Sequence, residues 1–148
     1  MFLQIGAFTM PRGRTLRQKV EARLAAQRAS CAFLTREFLD LGGERQVFRV
    51  LQAMVRDGQL ARLGYGVYGR TRISRLSGRP VLDSPNGLQG AGREVLNKLG
   101  IKWDLTEAQR AYNERRSTQI PVNPAVKIVR SRFSRKLRDG TLELRLDR

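Results

Sequence analysis

Residues 44–58 constrain the fold more than any other stretch. Val47, Val50, Leu51, Met54 and Val55 recur at i, i+3, i+4, i+7 and i+8, the spacing that lays one stripe of an α-helix on a core. It predicts a helix from Glu44 to about Arg56, ended by the Asp57-Gly58 turn. Gln59–Leu63 and Val67–Arg70 then read as two short strands joined through Gly64-Tyr65-Gly66, a β-hairpin. An amphipathic helix running straight into a hairpin is a restrictive combination.

The upstream residues complete a pattern. Thr15 to Arg28 reads as a helix capped by Thr15, with Leu16, Val20 and Leu24 on its apolar stripe. Ser30–Leu34 is short, apolar and β-leaning. Thr35 opens a second helix with Phe38, Leu39 and Leu41 as its apolar face, and Gly42-Gly43 breaks it. Helix, short strand, helix, tight turn, helix and hairpin is the order of a winged helix-turn-helix, expected over residues 15–73. Residues 1–14 read as a flexible extension, with Met10 as an alternative start to Met1.

From Thr71 to Gly87 the chain is rich in Gly, Pro, Ser and Arg, which predicts a linker over 74–87. Residues 88–148 read as a small α+β module. A helix over 88–99 is stopped by Gly100, and a short helix over 106–116 is capped by Thr106. Strands are expected at 119–122 and 126–129. Asp139-Gly140 centres a C-terminal β-hairpin with Leu142, Leu144 and Leu146 on one face. The expected class is α+β: a winged helix-turn-helix followed by a small α+β module.

Composition narrows the chemistry. The chain has 148 residues, 29 Lys+Arg against 13 Asp+Glu, no His and one Cys, for a net charge of +16. Without His there is no imidazole base, no His-bound metal and no Ser-His-Asp triad. One Cys gives neither a thiolate zinc site nor an internal disulfide, and fits a reducing, cytoplasmic setting. Cys31, in the run Ala29-Ser30-Cys31-Ala32-Phe33, reads as a buried core thiol. No stretch approaches the ~18–20 apolar residues of a membrane span. Met1–Thr9 lacks the basic start of a signal peptide. The expectation is a protein with no catalytic site and no cofactor, whose charge calls for a polyanionic partner, nucleic acid by default and acidic lipid as the alternative.

The candidate binding residues follow from position. In a helix-turn-helix the exposed N-terminal residues of the second helix meet base edges, here Arg45, Gln46 and Arg49, with Gln52 a turn later. Arg pairs with guanine and Gln with adenine. Thr35 and Arg36 begin the helix that would cross the backbone. Arg62, Tyr65, Arg70 and Arg72 belong to the hairpin, where a wing lays them along phosphates or in the minor groove. Tyr65 and Tyr68 have a second reading, as caps on the core. The densest basic run, Arg130 to Arg138, holds Arg130, Arg132, Arg135, Lys136 and Arg138. It suits a second stretch of backbone, an RNA or an acidic protein, or is a solvated loop.

Three stretches carry a family likeness: Phe33-Leu34-Thr35-Arg36-Glu37-Phe38-Leu39-Asp40-Leu41-Gly42, Val47–Gly58 and Leu60–Tyr68. With Arg72-Ile73-Ser74-Arg75-Leu76-Ser77-Gly78-Arg79-Pro80-Val81 and Ser117–Val122, the chain resembles the AbiEi-type antitoxins of type IV toxin–antitoxin systems over most of residues 15–146. The resemblance implies a DNA-binding repressor of its own operon that counters a nucleotidyltransferase-like toxin indirectly, without a stable complex. It places Arg45, Gln46 and Arg49 on the family's recognition helix and Arg62 to Arg70 on its wing. Winged helices often read palindromes as dimers, so a homodimer on DNA is a further expectation, although the sequence shows no clean dimerisation heptad. The alternatives are a protein-interaction module that neutralises a toxin or host factor, and RNA binding through the second half.

Overall fold

The computed structural model describes residues 13–148. Most of the expected N-terminal extension, with Met1 and Met10, lies outside the described residues. The class is α+β. Helix α1 spans Leu16–Ala26 and strand β1 Ala32–Leu34. A 3-10 helix covers Thr35–Phe38, then α2 runs over Glu44–Arg56, β2 over Leu60–Gly64 and β3 over Val67–Ile73. Strand β4 (Pro80–Leu82), α3 (Gly87–Lys98), β5 (Trp103–Asp104), α4 (Glu107–Asn113) and β6 (Ala125–Ile128) follow. The chain ends with β7 (Arg138–Asp139), β8 (Leu142–Glu143) and β9 (Arg145–Asp147). No helix among the described residues is long and apolar enough to cross a membrane.

Local signals explain most elements. Thr15 caps α1 and Thr106 caps α4, each in a reciprocal box with a Gln three residues on. The expected second helix is reduced to one 3-10 turn. The Thr35 N–H donates to the Gly66 carbonyl, so Thr35 is tied to the hairpin turn as the first residue of the 3-10 helix instead of capping an α-helix. The Glu37 carboxylate accepts from the Leu34 N–H at 2.6 Å. These bonds fix the segment before a second turn can form. Phe38 is buried and Leu41 half-buried, but Leu39 faces out.

The three-stranded order β1-β3-β2 is antiparallel throughout, and both of its faces are covered. Phe33, Leu60 and Tyr68 point to one side, against Val20 and Leu24 of α1 and Val47, Leu51 and Met54 of α2. Ala32, Leu34, Leu63 and Val67 point to the other, against Leu88, Ala91, Val95 and Leu96 of α3 and Val126 and Ile128 of β6. This is the alternation of a pleated strand with a core on each side.

The segment expected as a linker belongs to this body. Strand β4 pairs with the far end of β3, Thr71 opposite Leu82 and Ile73 opposite Pro80. Leu82 is buried beside Gly69, where an added Cβ would lie 2.4 Å from its Cδ1. Only the turn 74–79 projects from the sheet.

Side chains from α3 and the 3-10 helix close the free edge of β1. Glu94 accepts from the N–H groups of Cys31 at 3.0 Å and Ala32 at 3.3 Å. The Lys98 ammonium donates to the Ala32 carbonyl at 2.6 Å and reaches Glu37 at 2.9 Å and Glu94 at 3.3 Å. An edge strand's backbone groups need such partners or water. Cys31 is half-buried, with its thiol 3.3 Å from Glu94, and burial pushes its pKa up.

Burial works to raise the Glu94 carboxyl, but the Cys31 and Ala32 donors and the Lys98 charge outweigh it and hold its pKa below the usual range. Its stabilisation is therefore complete above the unfolded value of about 4.3 and is lost as pH falls through the lower folded value. Urea midpoints between pH 6 and 3 should fall less steeply for Glu94→Gln than for the parent. Equal slopes would mean that this carboxylate does not hold the edge.

Two C-terminal expectations change. Gln119–Val122 is exposed and not a strand, because Ile120 and Val122 find no neighbouring edge. The stretch 141–146 is not one strand either. β8 pairs with β7 across a Gly140-Thr141 turn, and β9 then turns to run parallel to β6. Leu144 is therefore buried while Leu142 is exposed.

Candidate nucleic-acid interface

Helix α2 packs Val47, Leu51 and Met54 into the core, which turns Arg45, Gln46, Arg49, Gln52 and Arg56 outward. At about 100° per residue, Arg45, Arg49, Gln52 and Arg56 fall within a sector of roughly 60°, with Gln46 beyond Arg49. None of the five side chains has an intramolecular hydrogen bond or ion pair among the described residues. Arg56 was not among the expected contacts, although its position four residues after Gln52 is legible in the sequence.

The hairpin brings the turn Gly64-Tyr65-Gly66 to the N-terminal end of α2. Gly66 has φ +67°, the left-handed conformation such a turn requires. Tyr65 is 79% exposed, while Tyr68 is 1% exposed and belongs to the core. Arg62 is exposed and borders a shallow hollow shared with Phe48, Gln52 and Arg56.

Thr35 is a tether instead of a free N-terminus, since it is bonded to Gly66. Arg36 is exposed, and its guanidinium donates to the Lys98 carbonyl.

Arg70 and Arg72 leave the candidate site. β3 runs away from the Tyr65 turn, so both lie towards its other end. Arg70 donates to the carbonyls of Leu24 at 2.6 Å, Gln27 at 2.8 Å and Ser30 at 3.1 Å. It thereby caps the C-terminus of α1. Arg72 faces Asp83 at 3.9 Å beside β4.

The basic run 130–138 is anchored, not a free loop. Phe133 and Leu137 are buried, and Arg148 donates to the carbonyls of Ser131 and Phe133. A Cβ on Gly64 would lie 2.7 Å from the Lys136 carbonyl oxygen, so the run presses directly on β2. The Arg135 guanidinium donates to the Tyr65 carbonyl. Arg130, Arg132 and Lys136 are exposed, whereas Arg138 is paired with Glu143 at 2.9 Å. No local pattern announces that Arg135 meets a turn 70 residues away.

Among the described residues every side-chain carboxylate except Glu44 and Asp139 is ion-paired. The surplus of positive charge has no carboxylate to meet it among the described residues, and α2 with the adjoining turn displays part of it on one face. No protein-family model, curated protein or solved structure matches the chain.

Proposed function

We propose that the chain is a sequence-specific double-stranded DNA-binding regulator of transcription, built as a winged helix-turn-helix with α2 as recognition helix and the Tyr65 turn as wing. The observation that carries this reading is the stripe Arg45, Arg49, Gln52 and Arg56, whose side chains have no partner among the described residues, beside Arg62, Tyr65 and Arg135. Arginine forks and a glutamine amide on one exposed helix face suit base edges, and the flanking arginines suit phosphates. The order β1-β3-β2 behind α2 supports it, although the helix preceding α2 is only a 3-10 turn.

In this proposal the protein needs no cofactor and carries out no reaction. It represses its own operon as the AbiEi-type antitoxins do, and a nucleotidyltransferase-like toxin is acted on indirectly.

Fluorescence anisotropy against the DNA upstream of its own gene tests the reading. Binding should prefer that sequence over a scrambled duplex and weaken steeply with salt, with a log–log slope of about −0.9 per phosphate contacted. No binding at low salt, or no preference between the two duplexes, would overturn it.

A further inference from the structure

A groove of about 720 Å³ opens between the N-terminal end of α2, the 3-10 helix, the Tyr65 turn and the basic run. Its volume is that of a small-molecule site. Leu34, Phe48 and Leu99 supply apolar wall, and Tyr65 stands at its edge. Arg36, Arg45 and Arg135 also line it, with Glu44 as the single carboxylate.

Two of these arginines are held by backbone carbonyls, Arg36 by Lys98 and Arg135 by Tyr65. Neither has a carboxylate as counter-charge among the described residues. A guanidinium has five N–H donors, so each keeps most of its fork for another ligand. The groove is therefore a preorganised cluster of donors over an apolar wall.

We propose that this groove binds a small aromatic phosphomonoester, and that its occupancy excludes DNA from α2. Three arginines and one glutamate leave a local charge of +2. A phosphomonoester carries about −1.5 to −2 at pH 7, whereas a phosphodiester or a carboxylate carries about −1. The charge thus matches a monoester better than a strand of DNA passing overhead. Phe48 and Tyr65 offer rings, and arginine a planar cation, against which a flat ligand stacks. A phosphate without a ring leaves the apolar wall wet. Arg45, Tyr65 and Arg135 belong to both sites, so ligand and DNA compete for them.

Calorimetry on the full chain tests the binding, with phenyl phosphate and adenosine 5′-monophosphate as probes and inorganic phosphate and phenol as half-ligands. The aromatic monoesters should bind at least tenfold more tightly than either half-ligand. Affinity should fall below about pH 6, where the monoester loses its second charge. Arg135→Gln and Phe48→Ala should each weaken binding at least tenfold, while Leu76→Gln in the remote 74–79 turn should leave it unchanged. Inorganic phosphate binding as well as the monoesters, no binding of any probe, or binding indifferent to both groove variants would each overturn the site.

Only the competition rests on the DNA-binding reading. Saturating phenyl phosphate should raise the apparent Kd for the upstream duplex at least tenfold at constant ionic strength. Ligand binding that leaves a measurable DNA affinity untouched would overturn the exclusion. A protein that binds ligand but no DNA would sink the regulator and leave the groove standing.

Discussion

Replacing Lys98 with Met should lower the unfolding free energy by about 2–4 kcal/mol. Removing one partner of a buried ion pair costs ~3–5 kcal/mol, because the other is left charged and desolvated. Here the Lys98, Glu37 and Glu94 side chains are 21%, 22% and 21% exposed, so some water remains to offset the loss. The ammonium also sits 4.8 Å from the Phe33 ring centre and satisfies the Ala32 carbonyl. The variant would leave two carboxylates facing one another at an edge strand. Urea denaturation at pH 7 measures the effect. The gap between variant and parent should narrow on acidification, as protonation removes the repulsion. A loss below about 0.5 kcal/mol would mean that water replaces the ammonium at the edge.

Replacing Arg45 and Arg49 together with Ala should abolish most of the sequence preference while leaving non-specific binding at low salt. A bidentate contact to a base edge is worth about 1–3 kcal/mol of discrimination. Two of them amount to a thirtyfold or larger fall in the ratio of upstream to scrambled affinity. The salt slope separates the possible roles. Residues on bases change the ratio and spare the slope; residues on phosphates lower both affinities alike and reduce the slope by about one each. An unchanged ratio would remove base reading from α2.

What sequence alone revealed depended on the reach of its signals. Helix α2 and the hairpin after it were legible because their periods of 3.6 and 2 are local and strong. The caps at Thr15 and Thr106 were legible for the same reason. Strand β4 was hidden because Pro80-Val81-Leu82 sits in a stretch of turn composition, and its pairing partner is a strand already assigned to a hairpin. The 3-10 turn was read as a helix because nothing near Thr35 shows that its N–H belongs to Gly66. In the site, the outward face of α2 followed from the helix itself. The places of Arg70 and Arg135 did not: one caps a helix 46 residues back, and the other meets a turn 70 residues away. Long arginine stems reach distant carbonyls that no local pattern encodes.

The sheet with a core on each face also bears on how the chain is born. During synthesis the first half leaves the ribosome with Leu34, Leu63 and Val67 uncovered and the edge of β1 open. Both defects persist until Lys98 emerges, and Leu144 comes later still. Exposed apolar surface and a free strand edge make a nascent intermediate prone to aggregation. The face of α2 and the Tyr65 turn is joined by Arg135, translated well after both. A chain stalled before α3 holds α2 on one face of the sheet and leaves the other face bare.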